Sequence, residues 1–449
     1  MRNEGVTVMV ATRLGRRDFL RIGAGALTGA AALGLAGCGD ASEAQAGASS
    51  LQFSFWGSSV RAGLTTKAIH AYEQSHPQVK ISTWFTGFGS YWPKLATQIS
   101  GGSAPDLIQM DMRYIDQYVR KGLLLDLTRY IPQPIDLHDF NQPLLKGSEA
   151  RGKIYGIPFG GNFTSVFYNT SLFQKVGYQM PGNFSDWTWD AMKQVAQEIV
   201  KAAGPGVYGV DDASSNITAF EVFIRQRGKE LYTDAGQRAF NKQDALDWFG
   251  YWSDLRKAGL CIPPDLSVQY SGATPALTTI VAGKAAINFS TSNQIQAFQA
   301  ATPTKLGLYS TPSSAGVKDN GNYLKASMLL SASSSTKNPD AVTQFINAVF
   351  NDPALVKALK IERGIPGSAR AQALLKPSLK SADLKQLTMV NQLAAITRPK
   401  SVLDPPGAGE VSDLLVLIAQ GLGFGKMSID EAASTLVTQA DKALERDGV

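Results

Sequence analysis

Two cysteines and three histidines in 449 residues leave little material for metal or nucleophile chemistry. His70, His76 and His138 sit in unrelated contexts, and no His or Cys pair has ligand spacing, so a zinc site or a Ser-His-Asp triad has little to be built from. Cys261 follows an apolar helical run and precedes Pro263-Pro264, which reads as a buried small hydrophobe. Charge is sparse too. The net charge of +6 falls to about +3 once residues 1–37 are set aside, because that segment carries five arginines against Glu4 and Asp18. No basic run outside it marks a nucleic-acid partner, and no other apolar stretch approaches the roughly 20 residues of a membrane helix.

What is present begins with a leader. Arg16-Arg17-Asp18-Phe19-Leu20 precedes an Ala- and Gly-rich apolar stretch from Ile22 to Leu35, too short to span a membrane but suited to a signal-peptide core. Leu35-Ala36-Gly37-Cys38 resembles the lipobox of bacterial lipoproteins. That resemblance implies export by the twin-arginine or the general route, cleavage before Cys38, and acylation of Cys38. The expected protein is extracytoplasmic, lipid-anchored to the cell membrane, and followed after the anchor by a flexible linker through residue 50.

Beyond the linker, apolar periodicity predicts strand, helix, strand, helix, strand within about 60 residues: Leu51 to Trp56, a helix stopped at His76-Pro77, Val79 to Thr83, a helix carrying Tyr91, Leu95 and Ile99, and Asp106 to Met110. Such alternation implies right-handed crossovers and a parallel sheet. It resumes with a strand at Ser165 to Tyr168, a helix capped by Thr188, a helix across Asp244 to Lys257 and a strand at Ala285 to Phe289. The last 120 or so residues read as helical, ending in a helix opened by Ser428-x-x-Glu431.

Several collinear segments resemble the family 1 extracellular solute-binding proteins, the sugar-binding subunits of ABC importers. They are Gly102-Ser103-Ala104-Pro105-Asp106 with Gly122 to Leu127, Gly152 to Phe159 with Phe167-Tyr168-Asn169, Gly283 to Ile287, and Lys337-Asn338-Pro339. The resemblance implies an α/β, bilobed periplasmic-binding-protein-like fold of type II, with a ligand cleft between the lobes. Lobe 1 is expected over 51–160 and 313–366, lobe 2 over 161–312, and C-terminal helices over 367–449. Crossings are expected near Ile157 to Phe163 and Leu308 to Ser313.

In an open α/β sheet the site lies beyond the carboxyl ends of the strands. That rule selects Trp56, Gly57, Ser58, Phe88, Asp111, Arg113, Phe159, Asn162, Ser290 and Thr291 as ligand contacts: aromatic plates for the C–H face of a sugar, with carboxylate, guanidinium and amide groups for its hydroxyls. Trp56 is expected to be partly exposed without ligand. Trp248 and Trp252 read as core, Trp92 and Trp189 as structural, and Asp211-Asp212 as facing either cleft or solvent. The expected partners are a carbohydrate and ABC permease subunits, with the protein a monomer needing neither cofactor nor metal. The rival readings are a surface glycoside hydrolase or lyase, which would need a carboxylate pair such as Asp111 and Asp116, and the same fold binding a polyamine, peptide or oxyanion.

Overall fold

The computed structural model describes residues 49–270, 274–317, 319–396, 400 and 403–447. The leader, Cys38 and most of the linker lie outside them. Lobe 1 opens with β1 (Ser49–Trp56), whose inward side chains Leu51, Phe53 and Phe55 are buried, and a helix Ser59–Ser75. Ser58 is the N-cap of that helix, its hydroxyl accepting the Arg61 amide at 3.3 Å. Then come β2 (Val79–Thr86), helix Phe88–Ser100, β3 (Leu107–Met110) and, after several short turns, β4 (Gly156–Pro158). β1 pairs in parallel with both β2 and β3, as right-handed crossovers require.

The chain leaves lobe 1 through β5 (Gly161–Asn162) and enters a second sheet of β6 (Thr164–Asn169), β7 (Tyr208–Val210), β8 (Ala285–Thr291) and β9 (Leu306–Ser310), ordered β7-β8-β6-β9. It returns through β10 (Lys325–Ala326), which pairs antiparallel with β5. The following strand, β11 (Leu329–Ala332), inserts antiparallel between β3 and β4 and completes the first sheet as β2-β1-β3-β11-β4.

The return crossing therefore lies later than the 308–313 read from sequence. Ser313 is held in lobe 2 by its amide on the Trp187 carbonyl (2.7 Å), and Gln226 Nε2 donates to the carbonyls of Pro312 and Asn320. A third crossing runs beside β5, where Gly161 and Ile365 exchange backbone hydrogen bonds of 2.7 and 3.0 Å. Here glycine is needed for room: a Cβ on Gly160 would fall 2.5 Å from the Ile365 carbonyl oxygen, and one on Gly161 2.5 Å from Leu324.

Each lobe has its own core. Lobe 1 is centred on Phe53, Phe55, Leu107, Ile157, Leu329 and Phe345, lobe 2 on Phe167, Trp187, Val195, Trp248, Trp252 and Ile287. The C-terminal helices Ala408–Gly423 and Ile429–Asp447 belong to the second core through Val411, Leu415, Leu436 and Ala440. Ion pairs Arg238–Asp441 (2.9 Å) and Lys242–Asp430 (2.7 Å) fasten the last helix, and the Ser428–Glu431 capping box opens it.

Candidate functional site

The carboxyl ends of β1 to β3 carry an aromatic cluster. The Trp56 ring lies 5.4 Å from Phe88, 5.3 Å from Tyr91 and 5.5 Å from Trp92, and is only 8% exposed. Trp56 is thus packed within lobe 1 rather than partly open as expected, because three rings of helix Phe88–Ser100 close around it. Trp92, read as structural, shares that cluster and stacks on Tyr114 at 3.9 Å. The Trp56 carbonyl accepts from Arg61 Nη1 (2.9 Å) and Gln109 Nε2 (3.1 Å). Gly57 makes this possible, since a Cβ there would fall 2.4 Å from Arg61 Cδ. Gly57 and Ser58 accordingly serve the backbone and the Arg61 side chain.

Asp111 follows β3 and is clasped by Arg113: Nε to Oδ1 at 2.9 Å, Nη2 to Oδ2 at 3.3 Å, and the Arg113 amide to Oδ1 at 3.0 Å. Burial pushes its pKa up, but the charges of Arg113 and Lys325 outweigh that and hold it at about 2. The Arg113 guanidinium also lies 4.9 Å from the half-buried Phe88 ring. Asp116, offered above as its partner in hydrolysis, instead pairs with Arg120 at 2.8 Å.

At the hinge, Asn162 Nδ2 donates to Asn293 Oδ1 (3.0 Å), and Asn293 Nδ2 to the Glu362 carbonyl (3.1 Å). The Glu362 carboxylate pairs with Arg61 at 2.8 Å, so hydrogen bonds run unbroken from lobe 2 to Trp56. Asn162 Oδ1 is buried without a hydrogen-bond partner among the described residues. Ser290 and Thr291 end β8, half-buried, with the Ser290 carbonyl accepting from Ser165 Oγ at 2.9 Å. Phe159 packs into the lobe 1 core, 5.8 Å from Phe350 and beneath Arg363. Asp211 lies behind β8, bonded by Asn288 and the Phe289 amide, its pKa raised by burial, and Asp212 pairs with Arg256. Both are committed inside lobe 2.

A cavity of about 170 Å³ lies beside Asp111, lined by Met112, Asn141 and Leu144 of lobe 1, by Tyr323 to Ala326 of the return crossing, and by Lys400 and Asp404. Sequence reading missed its charged wall. Lys400 Nζ bridges Glu221 (2.6 Å) and Asp404, while Tyr323 Oη donates to Glu221 at 2.8 Å. Burial favours protonated Glu221, but Lys400 and Lys325 reverse this and hold its pKa at about 2. A lone acid inside the apolar helix Ile217–Arg225 was the available signal. Lys400 and Asp404 lie in a Pro-rich connection to which the strand-end rule does not apply. Among the described residues no group of three His, Cys, Asp or Glu side chains could hold a metal ion.

This arrangement of two α/β lobes is shared with known proteins. The model for bacterial extracellular solute-binding proteins matches residues 57–355. The solved structure of an extracellular solute-binding protein family 1 from Alicyclobacillus acidocaldarius is 28% identical, covers 88% of this chain and 98% of its own, and superposes with a TM-score of 0.66. A putative binding protein of Brucella abortus is 24% identical over 84% of this chain and 88% of its own. The arabinooligosaccharide-binding protein of Bacillus subtilis is 22% identical over 51% of this chain and 52% of its own. The chain belongs to the bacterial extracellular solute-binding proteins, and its fold is the bilobed one of that family.

Proposed function

We propose that this protein captures a carbohydrate between its lobes and delivers it to the permease of an ABC importer, without turning it over. The observation that carries the reading is the matched charge at the cavity wall and directly behind it: Lys325, Lys400 and Asp404 line it, while Asp111 lies within electrostatic reach of Lys325, Arg113 of Asp404, and Glu221 pairs with Lys400. A polyamine would need surplus carboxylates and an oxyanion surplus donors, whereas paired charges beside aromatic rings suit an uncharged polyol. Lys325 makes no ion pair with any described residue and is half-buried on the cavity wall, leaving its ammonium as a donor for sugar hydroxyls. The relative named for arabinooligosaccharides supports the ligand class.

Thermal-shift and calorimetric titration against neutral and acidic mono- and oligosaccharides tests it. Stabilisation that grows with sugar concentration is expected, and no reducing-sugar release above buffer. Asp111→Ala should weaken binding by about 1 to 3 kcal/mol. Failure of every sugar, with binding of a polyamine or oxyanion, would overturn the ligand class.

Twin-arginine export, acylation at Cys38 and anchoring to the cell membrane are our reading of the leader, with the body a monomer at the membrane surface. Cys38→Ser is expected to release the protein into the soluble fraction. Variant protein that still sediments with membranes after a high-salt wash would contradict the anchor.

A further inference from the structure

Away from the hinge, the lobes also approach each other closely at Gly409. Gly409 stands in the first turn of helix Ala408–Gly423, on lobe 2, and faces Tyr114 of lobe 1. A Cβ on Gly409 would lie 2.7 Å from Tyr114 Cε1 and 2.9 Å from its Cζ and Oη. The Tyr114 ring is not free to swing aside, because it stacks on Trp92 at 3.9 Å with planes 29° apart. Nothing else calls for glycine at this position. Its backbone is helical, unlike that of Gly407 at φ +85°, and glycine is a poor helix former. Asp404, in the segment leading to this helix, lies within electrostatic reach of Arg113, so charge draws together the same two segments.

We propose that Gly409 is a positioning residue for ligand capture: the space left by its missing side chain is the slot that receives Tyr114, and this contact sets how far the cleft shuts. The inference rests on the proposed function, since it assigns a stop to the closure that encloses the sugar. A side chain in the slot holds the lobes apart, so the ligand loses contacts on one side of the cavity while each lobe keeps its own core. Closure then becomes a population shift that the ligand can no longer complete.

The test uses the mature chain as wild type, Gly409→Val, Tyr114→Ala and the double variant, titrated with a sugar selected on the wild type. Calorimetry should show Gly409→Val binding about tenfold or more weaker, and small-angle scattering at saturation should give it a larger radius of gyration than the wild type. Its unliganded melting midpoint should not fall, because valine is no worse than glycine in a helix. Removing the opposing ring should rescue it, so the double variant should bind within a few-fold of Tyr114→Ala alone. Wild-type affinity in Gly409→Val, or a double variant no better than Gly409→Val, overturns the slot. A wild type that binds no sugar contradicts the proposed function instead.

Discussion

Replacing Trp56 with alanine is expected to cost the unliganded protein about 3 to 5 kcal/mol of stability, the range for deleting a large buried aromatic. The sequence suggested otherwise, since a residue at a strand end beside a cleft reads as half open. The structure seals it among Phe88, Tyr91 and Trp92, so its removal empties a cavity inside the lobe 1 core. Guanidinium unfolding of the mature chain would measure this. A loss below about 1 kcal/mol would mean that Trp56 is uncovered in solution. Its role as a stacking plate for sugar is a separate proposal, and Trp56→Phe is the variant to examine, because it retains an aromatic face with less disturbance of the core.

Lys400→Met should be comparably damaging for the opposite physical reason. Lys400 pairs with both Glu221 and Asp404, and without it two buried carboxylates remain close together, a loss of about 3 to 5 kcal/mol at neutral pH. The pH dependence follows from the shifts. In the wild type Glu221 is depressed from 4.5, and Asp111 from 3.8, each to about 2. Groups with lowered folded pKa stabilise above their unfolded values and lose that stabilisation as pH falls towards the folded value. Wild-type stability should therefore drop between about pH 4.5 and 2, whereas in Lys400→Met protonation relieves the orphaned carboxylates. The gap between the two proteins should narrow on acidification. A gap that stays constant across that range would show that the Lys400 cluster is not charged as described. Adding Glu221→Gln to Lys400→Met should recover part of the loss at neutral pH.

Much of the fold was legible because its signals are local. Alternation marked β1 and β2, the short apolar run after Pro105 marked β3, and Thr188 and Ser428 announced their helices as caps. β11 escaped because Leu329–Ala332 is four residues long, and its place between β3 and β4 is set by pairing with strands more than 150 residues earlier. The return crossing was displaced for a similar reason: Ser313 reads as a hinge until its bonds to Trp187 and Trp189 are seen. For the site, the strand-end rule selected Asp111, Arg113 and Phe88, which do lie together. It could not select Lys400, Asp404 or Tyr323, which reach the cavity from a loop and a crossing, nor Glu221, which holds Lys400 and Tyr323 from a helix behind them. Nor could it show that Gly57 makes room for Arg61, because that depends on where one long side chain runs.

The most direct test of the central claim is a crystal structure of the mature chain grown with a sugar that thermal shift selects. One sugar ring is expected between the lobes, its hydroxyls within hydrogen-bond distance of Asp111, Lys325 or the Lys400–Asp404 pair, with Tyr114 seated against Gly409. Sugar bound on the outer face of either lobe, or held between lobes that remain apart at Gly409, would contradict it.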